Sequence, residues 1–295
     1  NIKRPKPIVA KTMEEVRDAI GKFIIPQEGG RTSIGAGFLI DKRGWVATNY
    51  HVIKQATTAA RAELADGSSY SLAGILAQAP DQDLAIVKLE AAPIQVTVLD
   101  VEFQGNPKLT QKVHACGHPR NVSFTFVTGS VGRVANTMEL ASEGRNTVLA
   151  SMKAPQDLIW IQHDAKIDQG NSGGPLVDEN GRVLWVNTWV NQSVDFGYAV
   201  HVRYLRALTA VATEAGIKPL PEFKPATPGP TPAQPVPKPG KTQISTERLK
   251  QLFDACAAFG WKPETQEQYD QLAELAKVMT LAKRAQLHPG SAPGA

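Results

Sequence analysis

Short apolar runs, separated by turn residues, fill the middle of the chain from about residue 30 to 200. Their length and their content of β-branched and aromatic residues are typical of short strands. An Asn-Gly pair in DENGR (178–182) predicts a hairpin turn, and no strand alternates with a long helix. The pattern therefore predicts an all-β sandwich or barrel. The clearest runs are GAGFLID (35–41), WVAT (45–48), LAIVKL (84–89), VHACG (113–117), VTGSVGRV (127–134), DLIWIQ (157–162) and RVLWVNTWV (182–190).

Helical periodicity flanks this β-rich region on both sides. Met13, Val16 and Ile20 lie at helical spacing and predict a helix over 12–23. A second helix is predicted over 202–215, and it would end at Gly216 because glycine favours the position just after a helix.

Composition changes sharply after this second helix. Residues 219–240 hold nine prolines in 22 residues, which excludes a packed helix or sheet and predicts an extended linker. Two apolar stripes beyond it predict a helical hairpin, whose core is too thin to be stable alone. We expect the hairpin to pack against the β-rich domain, another copy or a partner. The predicted organisation is a disordered lead-in (1–11), the main domain (12–217), a Pro-rich linker (218–243), the helical hairpin (244–286) and a disordered tail (287–295).

Charge and composition narrow the classes of function. The chain has 295 residues and a net charge of +4, without a run of basic residues interleaved with aromatics, so nucleic acid is not an expected partner. It begins with Asn1 rather than Met, and we therefore expect a processed or truncated chain, from which any signal peptide or membrane anchor would already be gone. Two cysteines, Cys116 and Cys256, fall in separate predicted domains and do not settle the redox compartment.

The segment DQGNSGGPLV (168–177) places one serine, Ser172, among three glycines. A serine hydroxyl needs a base to remove its proton and hydrogen-bond donors for the oxyanion that its attack creates. We predict that the backbone N–H groups of Gly170 and Ser172 form this oxyanion hole. Gly173 and Gly174 are expected to keep the far side free of Cβ atoms, so that a substrate backbone can approach closely.

A histidine and a buried carboxylate would complete the site. His51 follows the strand WVAT in TNYHVI and is the best candidate for the base. Asp83 precedes the apolar strand LAIVKL, which would bury it, whereas Asp81 is expected to be a solvated turn residue. The order His51, Asp83, Ser172 matches one of the known orders of a serine–histidine–aspartate triad. The remaining histidines are interpreted as structural, and His118 in GHPR as a turn residue.

At these residues the chain resembles the HtrA/Deg family of trypsin-like serine proteases, over about residues 15–215. The resemblance rests on the segments around His51, Asp83 and Ser172 together with VHACGHP, VTGSVGRV and FGYAV. It implies a chymotrypsin-like fold of two six-stranded barrels, and peptide-bond hydrolysis without cofactor or metal. It also implies protein or peptide substrates that are often unfolded, trimers or larger assemblies, and an extracytoplasmic location. Members usually carry PDZ domains where this chain has the linker and hairpin.

The resemblance also assigns substrate-binding residues. Lys166 lies six residues before Ser172, near the floor of the primary specificity pocket. In one interpretation its ammonium reaches solvent and Ile167 lines a small apolar pocket; in the other, Lys166 selects acidic side chains. Asn187, Thr188 and Trp189 would form the strand that pairs with extended substrate.

The sequence therefore predicts a serine endopeptidase with the triad His51, Asp83 and Ser172. The alternative is a latent or inactive protease-fold protein that binds partners and uses the helical hairpin as its adaptor.

Overall fold

The structure, a computed structural model, describes residues 6–27, 30–93, 95–118, 124–142, 153–191 and 195–224. The chain divides into two units, Asn1–Thr227 and Pro228–Ala295, and every described residue belongs to the first. The predicted helical hairpin (244–286), the tail (287–295), most of the linker (218–243) and the first five residues of the lead-in lie outside the described residues. These assignments stay predictions.

The described elements are mainly strands. In chain order the strands are β1 (Ile8–Val9), β2 (Ile20–Pro26), β3 (Thr32–Asp41), β4 (Trp45–Thr48), β5 (Arg61–Leu64), β6 (Ser69–Ala79), β7 (Leu84–Leu89), β8 (Thr97–Val98), β9 (Lys112–Gly117), β10 (Thr125–Asn136), β11 (Ile159–His163), β12 (Pro175–Val177), β13 (Val183–Asn191) and β14 (Phe196–His201). The helices are α1 (Met13–Asp18), α2 (Tyr50–Ile53), α3 (Thr137–Ser142) and α4 (Arg203–Val211), with a 3-10 turn at Glu214–Gly216.

Twelve of these strands close into two antiparallel barrels. The first has the order β2-β3-β4-β7-β6-β5 and the second β10-β11-β14-β13-β12-β9, while β1 and β8 form a separate parallel pair. Apolar side chains fill both barrels, with Phe23 and Phe38 fully buried in the first and Trp185 in the second. Closure leaves neither sheet with a free edge along its whole length. The predicted all-β double barrel is confirmed.

The N-terminal helix is much shorter than the periodicity predicts. It begins as expected, because Thr12 and Glu15 form a reciprocal capping box. It ends at Asp18, and Ile20 already begins β2, which pairs with both β3 and β5. The prediction of a helix over 12–23 is wrong in its second half, since Phe23 and its β-branched neighbours are buried inside the barrel as strand residues.

The second helix, predicted over 202–215, is also shorter than the sequence predicts. α4 ends at Val211, and Ala212 already has an extended backbone. Gly216 instead closes the 3-10 turn, where its N–H donates to the Thr213 side chain. At the start of α4, His201 donates from Nε2 to the Gly105 carbonyl and accepts from the Arg203 N–H, so this histidine is a structural cap. No described helix is long and apolar enough to cross a membrane.

The first residues of the predicted linker pack on the first barrel. Lys218 exchanges two backbone hydrogen bonds with Ile75 of β6, at 2.8 and 2.9 Å. Farther along, the Thr58 N–H donates to the Pro221 carbonyl, and the Phe223 N–H donates to the Thr58 hydroxyl. This segment, 217–224, therefore belongs structurally to the first barrel.

Candidate active site

His51 and Asp83 form the most tightly bonded pair of the site. His51 lies in the short helix α2, immediately after β4, and Asp83 lies in the turn before β7, the strand that pairs with β4. The Asp83 Oδ2 is 2.6 Å from His51 Nδ1, and Oδ1 accepts the His51 backbone N–H at 2.8 Å. Because a carboxylate only accepts, Nδ1 carries the proton and Nε2 is left as the basic nitrogen. The Asp83 side chain is 4% exposed and the His51 ring 40%.

The backbone of Asp83 is held as firmly as its side chain. Its carbonyl accepts hydrogen bonds from the Tyr50 N–H and from the Asn49 amide. Its φ of 53° is unusual for a residue other than glycine, and such strain persists only where neighbours fix it. The Asn49 amide also contacts the Thr188 hydroxyl of the second barrel at 3.3 Å. Asn49 stands two residues before His51 in the segment TNYHVI, but only the fold reveals this bridging role.

Ser172 lies in the loop before β12, and two glycines fix the path of that loop. A Cβ on Gly173 would lie 2.2 Å from the Ala36 carbonyl oxygen and from the Thr48 hydroxyl, and φ is 84° there. A Cβ on Gly174 would lie 2.1 Å from the Cys116 carbonyl oxygen. The expectation that these glycines leave room for substrate is therefore wrong, because the protein's own backbone occupies the space.

Two backbone N–H groups around Ser172 are available as donors. The N–H groups of Asn171, Gly173 and Gly174 all donate within the protein. Those of Gly170 and Ser172 donate to no acceptor among the described residues. Gly170 has a φ of 107°, and its carbonyl accepts the His118 N–H at 3.3 Å, which fixes the orientation of this peptide. The geometry is compatible with the predicted oxyanion hole.

The Ser172 hydroxyl points to the second barrel. It donates to the Thr188 carbonyl at 3.1 Å, and no hydrogen bond joins it to His51 in the described part of the chain. Both residues nevertheless line one cavity of about 240 Å³, together with Gln169 and Gly170. A rotation about the Cα–Cβ bond of Ser172 is the movement available to turn the hydroxyl toward His51 Nε2. Catalytic hydrogen bonds often form fully only when substrate is bound.

Lys166 and Ile167 differ in their surroundings. The Lys166 side chain is 79% exposed, and its ammonium lies 3.5 Å from the Asp195 carboxylate. Ile167 is half-buried and packs against the core of the second barrel. The structure thus brings Lys166 to the surface and gives it an acidic partner that the sequence did not suggest.

The side chains of the predicted substrate strand point into the protein. The Asn187 amide donates to the Gly174 and Pro175 carbonyls, and the Thr188 hydroxyl donates to the Val186 carbonyl. Trp189 is 9% exposed and stacks on Tyr198 with ring centroids 3.9 Å apart. These three residues can therefore meet a substrate mainly through their backbone.

The other described histidines do not join the site. Burial lowers the pKa of His118, His163 and His201 to about 4 each, so these rings are neutral near pH 7. His118 was expected to be a turn residue, but it is fully buried and its ring accepts the Phe124 N–H. Asp81 is exposed, as expected. Among the described residues, no group of three His, Cys, Asp or Glu side chains is placed to hold a metal ion.

The two barrels and the site between them define a trypsin-like peptidase, and comparison with known proteins agrees. The family described as "Trypsin-like peptidase domain" matches residues 35–184, so the chain belongs to this family. Its relatives are of the HtrA/Deg type. It is 34% identical to "Protease Do-like 1, chloroplastic" of Arabidopsis thaliana over 154 residues, 52% of this chain and 32% of that protein. It is 27% identical to "Periplasmic serine endoprotease DegP" of Escherichia coli K12 over 189 residues, 62% of this chain and 36% of that protein.

Solved structures show the same fold. The HtrA-type protease AlgW, solved with a tripeptide, is similar with a TM-score of 0.56 at 22% identity, over 70% of this chain and 65% of that chain. The serine endoprotease of Yersinia pestis is similar with a TM-score of 0.53 at 23% identity, over 68% of this chain and 66% of that one. The chain matches about a third of the length of Protease Do-like 1 and of DegP.

Proposed function

We propose that the chain is a serine endopeptidase in which Ser172 is the nucleophile, His51 the general base and Asp83 the residue that orients the imidazole. The hydrogen bond of 2.6 Å between Asp83 and His51 Nδ1 carries this proposal. This bond leaves Nε2 as the unprotonated nitrogen, and His51 and Ser172 line the same cavity.

The proposed reaction uses these residues in turn. His51 Nε2 takes the proton of the Ser172 hydroxyl while Oγ attacks the substrate carbonyl, and the N–H groups of Gly170 and Ser172 stabilise the oxyanion. His51 passes the proton to the leaving amine, and an acyl group remains on Ser172. Water, activated by His51, hydrolyses this ester and releases the acid. No metal or cofactor is part of the proposed reaction.

The proposed substrates are exposed or unfolded segments of proteins, and the proposed location is extracytoplasmic. Both rest on the relatives, among them the periplasmic DegP and the chloroplastic Protease Do-like 1. Assembly into trimers is proposed on the HtrA/Deg resemblance alone. A partner at the predicted helical hairpin (244–286) is proposed on its amphipathic pattern.

The orientation of the Ser172 hydroxyl favours a second candidate function. Because Oγ donates to the Thr188 carbonyl, the site can be latent until a substrate or a partner turns the hydroxyl toward His51. A protein that never makes this change would be a binding or scaffold protein on a protease fold.

Labelling with a fluorophosphonate distinguishes the two functions. We expect a covalent adduct on the 295-residue chain, detected by intact mass, that is absent in Ser172→Ala, together with digestion of unfolded casein. A chain that is folded, as judged by circular dichroism, but forms no adduct would overturn the endopeptidase proposal and support the scaffold.

A further inference from the structure

A second cavity borders the one that His51 and Ser172 line, because two residues line both. The first cavity extends from Ser172 past α2 as far as Gln27 and Gln55. A second cavity, of about 340 Å³, is lined by the same two glutamines and by Pro26, Arg31, Thr57, Glu222, Phe223 and Lys224. The two cavities together are called the leaving-side groove below.

The glutamines that both cavities share are held in place. Gln27 Nε2 lies 2.7 Å from the Gln55 Oε1 and 2.6 Å from the Ser33 hydroxyl. The Gln27 N–H also donates to the Arg31 carbonyl at 2.8 Å, which closes the turn between β2 and β3. The border that the two cavities share is therefore built from hydrogen-bonded side chains.

The chemistry fixes which part of a substrate would enter this groove. His51 must pass a proton to the leaving amine, so the chain on the C-terminal side of the scissile bond departs on the His51 side of Ser172. The groove runs on that side, past Val52, Lys54 and Gln55 of the segment that carries His51.

Basic residues line both parts of the groove, Lys54 in the first cavity and Arg31 and Lys224 in the second. Arg31, Lys54 and Lys224 along the groove are exposed, and none of them forms an ion pair within the described part of the chain. Glu222 is the one acidic residue among the described residues that line the two cavities. Pro26 and Phe223 add apolar surface beside the cations. Phe223 and Lys224 come from the segment 217–224, whose hydrogen bonds to Thr58 hold it against the first barrel.

We infer that the leaving-side groove is an extended subsite for acidic substrate residues C-terminal to the scissile bond. This inference rests on the proposed endopeptidase function. Gln55 follows His51 by four residues, about 6 Å at the helical rise. An extended peptide advances about 3.3 Å per residue, so roughly two substrate residues reach Gln55. The third and later residues then enter the second cavity, where Arg31 and Lys224 would pair with their carboxylates.

The test compares two internally quenched peptides that differ only in Glu or Gln at the third to fifth positions after the scissile bond. For the unmodified chain we expect kcat/KM to be about three- to tenfold higher for the Glu peptide at low salt, as two exposed ion pairs would give. The ratio should fall toward one in high salt, because screening acts within about 10 Å at 0.1 M.

Charge variants locate the effect in the groove. Arg31→Gln combined with Lys224→Gln should bring the ratio near one, and Glu222→Gln should raise it. Arg206→Gln, which removes an exposed cation of α4 outside both cavities, should leave the ratio unchanged. A ratio near one in the unmodified chain, with normal fluorophosphonate labelling, would overturn the proposed acidic subsite. The endopeptidase proposal would then still stand.

Two other outcomes are informative. If neither peptide is cleaved and Ser172 is not labelled, the endopeptidase proposal is overturned. The subsite proposal, which rests on it, is overturned as well. A ratio that changes with protein concentration would indicate that a second copy of the chain occupies the groove, and would also overturn this inference.

Discussion

Asp83 shows how one residue organises a site from both its side chain and its backbone. The carboxylate accepts the Nδ1–H and the backbone N–H of His51, while the carbonyl accepts from Tyr50 and Asn49. Its positive φ is therefore matched by four hydrogen bonds to the segment that carries the histidine. Replacing the Asp83 carboxylate would therefore change which nitrogen of His51 carries the proton, even where the fold is retained.

Asp83→Asn is expected to lower kcat by about four orders of magnitude, because an amide at this position can donate to Nδ1 and place the imidazole proton on Nε2. Peptide cleavage and the rate of fluorophosphonate labelling measure the effect. Asp81→Asn is the matched control, since Asp81 is exposed two residues earlier. Equal losses in the two variants would contradict the role assigned to Asp83.

The Lys166–Asp195 ion pair bears on the choice of substrate residue before the scissile bond. Both side chains are largely exposed, so Asp195 offsets much of the attraction that Lys166 would exert on an acidic substrate. We expect little preference for Glu over Val in the unmodified chain, and a rise of about two- to fivefold in that preference in Asp195→Asn. Asparagine is suitable because it tolerates the φ of 56° at this position.

The measurement is kcat/KM for matched peptides with Glu or Val before the scissile bond. In Lys166→Met combined with Asp195→Asn the gain should disappear. A strong Glu preference in the unmodified chain would show that Lys166 acts despite its partner.

At the scale of elements, the loop around Ser172 depends on backbone that packs against backbone. The Ser172 carbonyl accepts the Ala36 N–H of β3, and the Gly173 N–H donates to the Asn187 carbonyl of β13. The loop is thus bonded to a strand of each barrel, which leaves no volume for a Cβ at Gly173.

Gly173→Ala is expected to lower the free energy of unfolding by more than 3 kcal/mol and to abolish labelling of Ser172, because positive φ and a steric clash act together. Gly67→Ala is the control: its φ of 83° is almost the same, but its Cβ would meet no atom within 4 Å. It should lose only about 1–2 kcal/mol. Urea unfolding measures both, and similar losses would show that strain alone matters at Gly173.

The sequence predicts elements well where a local pattern and the tertiary packing agree. The strand LAIVKL and the hairpin at DENGR satisfy both, and β7, β12 and β13 form where they are predicted. The prediction of a helix over 12–23 is wrong in its second half. Met13, Val16 and Ile20 fit a helical period, but Phe23 packs inside the barrel as a strand residue. The pairing of β2 with β5, which closes the barrel, decides the outcome, and it joins residues far apart in sequence, such as Gly21 and Leu64.

Of the candidate site, the sequence predicts the residues but not the contacts between them. His51, Asp83 and Ser172 stand in recognisable segments, and the structure brings them to one place. The Asn49 bridge to Thr188 joins residues of different barrels, so no local pattern could reveal it. The packing of 217–224 on the first barrel is hidden for the same reason, because its proline content is typical of a linker.

At the scale of the whole molecule, the second barrel carries buried, neutral histidines in or next to its strands β9, β11 and β14. His118, His163 and His201 are nearly or fully buried, and burial lowers the pKa of each to about 4. In the unfolded chain a histidine has a pKa near 6.5. Between pH 6.5 and 4 the unfolded state therefore binds more protons than the folded state, and stability is lost as the pH falls through this range.

The free energy of unfolding should fall by up to about 1.4 kcal/mol per pH unit for each of the three histidines in this range. Urea unfolding at pH 7, 6 and 5 measures this slope. His163→Leu should reduce the slope by about one third, because the variant has no ring to protonate on unfolding. His201→Gln keeps a side-chain acceptor near the Arg203 N–H. This variant should reduce the slope by a similar amount, whatever its free energy of unfolding at pH 7. Slopes unchanged in both variants would mean that other groups control acid unfolding, and that the buried histidines are already protonated in the folded protein.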